Sequence, residues 1–303
     1  MLTMKTRYTK YILFLFLTTL IGCERNISLQ LDQTDPKLVV DASIENNSLP
    51  VIVLSRSLNY FNSFSTEQLS NSFEHDAIVS ISNGSDTAKL IELSITNDSG
   101  YTFYYYTCDI TKPREVIYGR FGKAYTINIT TTDGASYTAS TTIPELTKTC
   151  DSLWWQASPD VNDTGKVVLY GLFNDPPGLG NYVRYFTATN DELFYPGYTS
   201  AFDDRVVDGT KYTFQIPKGY NRNDSLDLND DDFGFFNHGD TVTFKFCNID
   251  LPAYDFWRTW EYAYQSNGNP FSSPIKVLGN ISNGALGAFT GYAAQYRSII
   301  IPE

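Results

Sequence analysis

Short segments of alternating apolar and polar residues, separated by turn sequences, fill the region from Leu38 to Pro144. Alternation with a period of two is the pattern of a β-strand that buries one face. Asp133-Gly134 separates two such segments, KAYTINITT and ASYTASTTI, and this dipeptide favours the positive backbone angles of a tight hairpin turn. About seven strands within roughly 110 residues is the count expected of an immunoglobulin-like sandwich. We therefore predict an immunoglobulin-like β-sandwich over residues 37–147.

Strand-like segments continue beyond a polar boundary sequence, IPELTKTCDS, whose proline cannot donate to a β-ladder. They are KVVLYGLFND, NYVRYFTATN, KYTFQIP, DTVTFKFCNI and the last alternating stretch of the chain. Residues 252–265, PAYDFWRTWEYAYQ, instead have helical spacing, with Phe256, Trp260 and Tyr264 four residues apart and a proline suited to the first turn. We predict a second, β-rich domain over residues 148–303, with this amphipathic helix against a sheet.

Composition supports an all-β fold class and excludes one kind of partner. The chain of 303 residues contains 22 Tyr and 20 Phe but only 2 Met. Aromatic side chains pack well on pleated sheets, so this usage favours a mainly β protein. The formal net charge is −12. Because an acidic surface repels phosphate backbones, we expect no nucleic-acid partner.

The chain begins with basic residues and a short apolar run. Lys5, Arg7 and Lys10 precede YILFLFLTTLIG, which is shorter than the about 20 apolar residues of a membrane-spanning helix. This combination is typical of a secretory signal. A small residue stands directly before Cys23, as a lipoprotein signal peptidase requires, and LIGC resembles the bacterial lipobox. We predict a lipoprotein signal peptide over residues 1–22 and lipidation of Cys23.

Lipidation would make residues 23–36 a polar, lipidated tether. One acyl chain holds a protein to a bilayer only marginally, whereas two or more chains hold it firmly. We therefore expect a soluble body that is attached to a membrane through its lipid anchor and does not span it.

Three further cysteines, Cys108, Cys150 and Cys247, leave the disulfide pattern open. In an oxidising envelope, a disulfide between Cys108 and Cys150 is the pairing that we consider, and Cys247 would then remain unpaired. Buried free thiols are the alternative.

The densest acidic segment, NDSLDLNDDDFGFFNHGD, suggests a calcium loop that matches only in part. Asp227, Asn229 and Asp231 fit the spacing of the first calcium ligands, but Asp232 stands where glycine belongs and His238 where the closing glutamate belongs. We therefore interpret the segment as a solvated acidic loop, with calcium ligation by these three residues as the weaker alternative, and predict no cofactor.

The sequence has no recognisable catalytic set. Its two imidazoles are His75 and His238, and neither a Gly-x-Ser-x-Gly elbow nor a His-Glu-x-x-His zinc helix is present. His238 and Asp240 could together orient a base toward a distant serine, which keeps an envelope hydrolase as an alternative. We predict no catalytic residues and a protein that is not an enzyme.

Three aromatic runs, YTFYYYT, LWWQ and FWRTWEYAY, are candidates for either the core or a binding surface. The consecutive residues Tyr104, Tyr105 and Tyr106 cannot all face inward on one strand, so we expect at least one of them to be exposed.

Several of these segments, in their order, resemble one family. The resemblance covers nearly the whole chain after the signal peptide and points to the outer-membrane lipoproteins of Bacteroidota that contain the domain of unknown function DUF4249. Such proteins have no established chemistry and are discussed as accessories of TonB-dependent transporters, so the resemblance carries over only Cys23 as a functional residue. The segments are the lipobox, PKLVVDASIENNSLPVIVLSRSLNYF, HDAIVSIS, GKAYTINITTTDGASYTASTTIP, FNDPPGLGNYVRYF and NPFSSPIKVLGNISNGALGAFTGY.

Together these observations predict a lipid-anchored outer-membrane protein that acts as a non-catalytic binding or assembly accessory of an integral barrel. In the family it resembles, acids directly after the lipidated cysteine accompany export to the outer face. Here Glu24 is followed by Arg25, so both the periplasmic and the extracellular face stay open. A hydrolase acting on glycan or peptide and a surface adhesin or structural protein are the alternatives.

Overall fold

The computed structural model describes residues 35–58, 69–97, 100–159, 165–224, 233–267, 272–273 and 275–303. The predicted signal peptide, the predicted lipidation site Cys23 and the calcium candidates Asp227, Asn229 and Asp231 lie outside these residues. Those predictions therefore stay predictions.

Seven strands form in the first half of the described chain, where alternation predicted about that number. Their inward positions are apolar: on β1, for example, every second residue from Leu38 to Ile44 is buried. A short 3-10 turn, Pro113–Glu115, precedes the sixth strand. The strands are β1 (Leu38–Glu45), β2 (Val51–Arg56), β3 (Ile78–Ser82), β4 (Thr87–Thr96), β5 (Thr102–Cys108), β6 (Lys123–Thr130) and β7 (Ser136–Ile143).

Strand β4 changes partners along its length and so joins the two layers of a sandwich. Its first residues, Thr87 to Lys89, pair with β3, and its remainder, Leu90 to Thr96, pairs with β5. Because β3 continues into β6 and β7 while β5 continues into β2 and β1, the two layers enclose one apolar core. The predicted all-β class with a sandwich is confirmed.

The second half adds eight strands and a helix, as its patterns predicted. A sheet centred on β9 has β8 on one side and β12 and β13 on the other, while β10, β11 and β14 extend the larger sheet. The elements are β8 (Thr149–Ala157), β9 (Lys166–Asn174), β10 (Tyr182–Thr189), β11 (Tyr195–Phe202), β12 (Lys211–Ile216), β13 (Phe236–Asn237), β14 (Thr241–Ile249), α1 (Leu251–Gln265) and β15 (Leu286–Ile300).

The last strand connects the two ends of the chain. β15 pairs in parallel with β1 and antiparallel with β14, which gives an 11-stranded sheet of order β11-β10-β14-β15-β1-β2-β5-β4-β3-β6-β7. At this junction Gly287 has φ +97°, and a Cβ there would lie 2.0 Å from the carbonyl oxygen of Val40. Only glycine allows that backbone and that approach.

The apolar residues of Pro36–Glu303, which is one compact unit, form three clusters. The first draws on strands up to Ile143 and on Ile281, Phe289 and Ala293 near the end of the chain. The second begins with Cys150 and lies between the β9 sheet and strands β10 and β14. The third lies beneath α1. The clusters change close to residues 147–148, but the division into two domains there stays a prediction.

The three described cysteines are buried free thiols, so Cys108 and Cys150 are not paired. Cys108 belongs to the first cluster and Cys150 to the second. Burial raises the pKa of Cys150 to about 11 and that of Cys247 to about 12. Because the thiolate is the reactive form, both thiols are suited to packing rather than to chemistry.

Helix α1 matches the predicted residues 252–265 closely and begins at an aspartate that has two tasks. Asp250 Oδ1 accepts a hydrogen bond from the Ala253 N–H at 3.1 Å, which caps the helix. Its Oδ2 accepts from the Thr142 N–H at 2.8 Å and from the Thr141 hydroxyl at 3.1 Å on β7. One carboxylate therefore fixes the helix start to the end of the sandwich.

We expect Asp250→Ala to lower the free energy of unfolding by about 2 kcal/mol, because a helix cap and a bond to a part-buried N–H are lost together. Urea unfolding followed by circular dichroism measures the change. Asp255→Ala, on the same helix, is the control and should change stability by less than about 0.5 kcal/mol. Equal losses in the two variants would contradict the double role of Asp250.

Within the described residues, no helix combines the length and apolar character needed to cross a membrane.

Candidate ligand-binding site

The structure does not join the two polar side chains that sequence suggested as a base and its orienting acid. His238 is exposed, its Nδ1 bonds the carbonyl oxygen of Pro302 at 2.7 Å, and its ring packs edge-on against Trp155. The Asp240 carboxylate instead accepts from the Asn237 N–H at 2.8 Å and from the Asn190 amide at 3.1 Å. Both side chains hold loops in place.

The other imidazole, His75, belongs to a hydrogen-bonded cluster at the base of the β4–β5 hairpin. Its Nδ1 lies 2.5 Å from Glu92 Oε1, and Glu92 Oε2 accepts from the Tyr106 hydroxyl at 3.1 Å and from the Asp76 N–H at 3.1 Å. Burial would raise the pKa of Glu92, but these hydrogen bonds outweigh it and hold that pKa below its usual value. The cluster stabilises Glu92 as a carboxylate within the hairpin.

A cavity of about 310 Å³ lies between the β9 sheet and strands β10, β11 and β14. We call it the aromatic cavity. Val206 and Val207, in the loop after β11, line it on the solvent side, and Val206 is almost fully exposed. The rings that line it are Phe173, Tyr185, Phe202, Tyr212, Phe214, Phe244, Phe246 and Tyr254.

Strand alternation explains why these rings converge. Phe244 and Phe246 are two residues apart on β14, so they point to the same face of the sheet. Their ring centroids are 5.8 Å apart, and the Phe173 ring from β9 lies 6.0 and 5.0 Å from them. Rigid rings that pack against one another in this way hold a preformed apolar space open, which is the usual form of a small-molecule site.

One end of the aromatic cavity is polar. The Tyr254 hydroxyl of α1 donates to Asp203 Oδ2 at 3.0 Å, and the Arg205 guanidinium lies 2.6 Å from the same oxygen. Burial would raise the pKa of Asp203, but hydrogen bonds from Arg205 and Tyr254 keep it below its usual value. Burial, reinforced by the Asp203 carboxylate, raises the pKa of Tyr254 to about 12.

Asp203 and Tyr254 also line a second space of about 320 Å³, which we call the polar groove. The two spaces therefore share this pair of side chains as a common wall. The groove is further lined by Leu179, Gly180, Tyr182, Asp204, Arg205, Asp255 and Arg258.

Three carboxylates near the groove, those of Asp175, Asp204 and Asp208, have oxygens within 4.8 Å of one another and could hold a metal ion. Each also accepts a backbone hydrogen bond: Asp175 from Gly209, Asp204 from Asn181 and Asp208 from Gly178. No local motif identifies this set in the sequence, because its members come from two loops that meet only in the fold. Turn sequences in both loops, DPPGLGN and DDRVVDG, are the signal that was available.

The β4–β5 hairpin carries an exposed apolar face, which we call the hairpin patch. It consists of Leu93, Ile95, Phe103 and Tyr105, whose cross-strand pairs are Leu93 with Tyr105 and Ile95 with Phe103. Leu93, Ile95 and Phe103 are 40%, 60% and 39% exposed. Of the three consecutive tyrosines, Tyr106 is buried while Tyr104 and Tyr105 are half-buried.

No curated protein matches the sequence. A family model described as Domain of unknown function (DUF4249) matches residues 24–298, which is most of the chain and nearly all of its described part. Strands β1 to β14 and the helix lie inside that match, and so does β15 except for its last two residues. The chain therefore belongs to the DUF4249 family.

Proposed function

We propose that this protein is a lipid-anchored, non-catalytic binding accessory of the outer membrane that works beside an integral barrel, specifically a TonB-dependent transporter. The aromatic cavity is the observation that carries the proposal. Its volume of about 310 Å³ is at the lower end of the range of small-molecule sites, and its walls are apolar with a few polar groups at one end. This is the composition of a binding site.

The lipobox supports the location. A chain that begins with Lys5, Arg7 and Lys10, continues with a short apolar run and reaches Cys23 has the features of a lipoprotein precursor. Several acyl chains on Cys23 would confine the β-rich body to a bilayer surface, where an integral barrel is its neighbour.

The hairpin patch supports a protein partner. Aromatic side chains dominate binding energy at interfaces, and contiguous exposed apolar residues mark interaction surfaces more often than chance exposure does. The patch lies on the sandwich and the aromatic cavity in the other half of the chain, so one protein could bind a small ligand and a transporter at the same time.

The two alternatives have less support. A hydrolase built on His238 would need that ring beside a nucleophile, whereas the ring is exposed and packs edge-on against Trp155, and its one hydrogen bond among the described residues is to the Pro302 carbonyl. An adhesin or structural protein would account for the hairpin patch but not for the aromatic cavity.

The proposal is tested by cross-linking in intact cells, followed by detergent solubilisation, affinity capture and mass spectrometry. We expect the wild-type chain to recover an integral outer-membrane barrel. The double variant Ile95→Ser/Phe103→Ser should reduce that recovery about tenfold or more, because central apolar anchors contribute at least about 2 kcal/mol to an interface. Both residues are exposed, so the variant should stay folded.

Ile110→Ser is the matched control, since Ile110 is also an exposed apolar residue but lies outside the hairpin patch. It should leave recovery unchanged. Failure of the wild-type chain to recover any barrel would overturn the accessory role. Equal recovery with the double variant would show that the hairpin patch is not the contact surface.

A further inference from the structure

We infer that the aromatic cavity and the polar groove form one site for a small amphiphilic cation, a molecule with an apolar ring or short chain and a protonated amine. The inference rests on the proposed binding function and adds the chemical class of the ligand. The apolar part would lie in the aromatic cavity and the amine at the junction formed by Asp203 and Tyr254.

The cavity itself selects an apolar group. Its walls are Phe and Tyr rings with aliphatic residues such as Val183 and Ile216, so a charged group inside it would lose its hydration without a partner. Flat aromatic walls favour a ring, because stacked and edge-on contacts add to the burial of apolar area.

The junction provides a place for a positive charge. Asp203 Oδ2 is occupied by Arg205 and Tyr254, whereas Oδ1 has, among the described residues, only a long bond of 3.3 Å from the Arg205 N–H. Arg205 is largely exposed, so its ion pair with Asp203 is of the weak surface kind. An ammonium leaving the cavity mouth would therefore find a carboxylate oxygen that still accepts hydrogen bonds.

The charges around the polar groove also favour a cationic ligand. Five carboxylates lie in or beside it, against three cations, so two negative charges are uncompensated. The Tyr182 and Tyr254 rings are stacked with centroids 4.7 Å apart, and the Arg258 guanidinium carbon lies 5.6 Å from the centre of the Tyr254 ring, so this aromatic pair already accommodates one cation. The carboxylates are Asp175, Asp203, Asp204, Asp208 and Asp255, and the cations are Lys148, Arg205 and Arg258.

Isothermal titration calorimetry on the full-length chain in lipid nanodiscs, with empty nanodiscs as the blank, tests the inference. Three probes share one indole ring: tryptamine is cationic, 3-ethylindole is neutral and indole-3-propionate is anionic. We expect tryptamine to bind most tightly, 3-ethylindole about tenfold more weakly and indole-3-propionate most weakly, because one charge contact is lost and then reversed.

Three variants locate the site. Val207→Trp places a large ring at the cavity wall and should abolish binding of tryptamine and 3-ethylindole alike. Asp203→Asn should weaken tryptamine about tenfold and leave 3-ethylindole unchanged. Asp191→Asn removes the same charge from an exposed loop outside both spaces and should change neither. Melting curves verify that each variant is folded.

The inference would be overturned if tryptamine does not bind, if Val207→Trp binds it like the wild type, or if the three probes bind equally. Because the titration contains no barrel, it is independent of the cross-linking test. If tryptamine does not bind but the barrel is still recovered, the inference about the ligand is wrong and the accessory role remains. If tryptamine binds as expected but no barrel is recovered, the accessory role is wrong and the ligand class remains.

Discussion

The chain with Cys23 replaced by serine should lose its acyl chains and leave the outer-membrane fraction almost entirely. Each buried methylene of an acyl chain contributes about 0.8 kcal/mol to membrane binding, so under the proposed lipidation the loss of several chains removes the main contribution that holds the tether to the bilayer. We expect the membrane-bound amount to fall by more than about tenfold. Fractionation of washed envelopes measures it, and mass spectrometry of the N-terminal peptide reports acylation.

Two controls make this result specific. Ser28→Ala changes a hydroxyl in the same tether and should leave both acylation and membrane binding intact. A second Cys23→Ser variant, with residues 1–22 exchanged for an ordinary cleavable secretory signal, distinguishes loss of lipid from failure to be processed. If that processed and unacylated chain still sediments with envelopes, the lipid anchor is not what attaches the protein.

Local signals in the sequence predicted local structure well. Asp133-Gly134 indicated a hairpin, and β6 and β7 flank it with Gly134 at φ +86°. The spacing of Phe256, Trp260 and Tyr264 indicated a helix over nearly its observed length. In each case the residues that determine the structure are close together in the chain, so one window of sequence contains the whole signal.

The closing strand β15 depends on contacts with residues that are distant in the sequence. Glycines often mark bends between strands, but Gly287 and Gly291 of GALGAFTG lie inside β15. They serve close approaches to other strands: a Cβ on Gly287 would meet Val40, and one on Gly291 would meet the Thr142 carbonyl. Because these partners are distant in the sequence, the local pattern around each glycine does not predict the contact.

The aromatic cavity and the polar groove could be predicted from the sequence only in part. Alternation places Phe244 and Phe246 on one face, but it does not show that the facing rings leave a cavity between them. The acids at the cavity end, Asp203 and Asp204, stand in a short loop, whereas the highest density of acids along the chain is in the segment around residues 224–240. Convergence of loops in space, rather than density along the chain, forms the polar groove.

A buried ion pair beside the aromatic cavity gives the largest stability effect that we expect. Lys148 Nζ lies 2.9 Å from Asp175 Oδ1, and their side chains are 1% and 0% exposed. The same ammonium is 5.4 Å from the centre of the Tyr212 ring in the cavity wall. Lys148→Met should lower the free energy of unfolding by about 3–5 kcal/mol, because it leaves the Asp175 carboxylate buried without its counter-charge. Urea unfolding measures the change.

A second substitution separates loss of the pair from loss of packing. In Lys148→Met/Asp175→Asn the remaining side chain is neutral and its amide oxygen can still accept the Gly209 N–H, so most of the lost stability should return. Lys211→Met is the exposed control: its pair with Asp151 has side chains 62% and 35% exposed, and such pairs contribute about 0–1 kcal/mol. If the double variant is as unstable as Lys148→Met, the unpaired charge of Asp175 is not the cause of the loss. The cause would then be packing, because methionine does not fill the space of the lysine side chain.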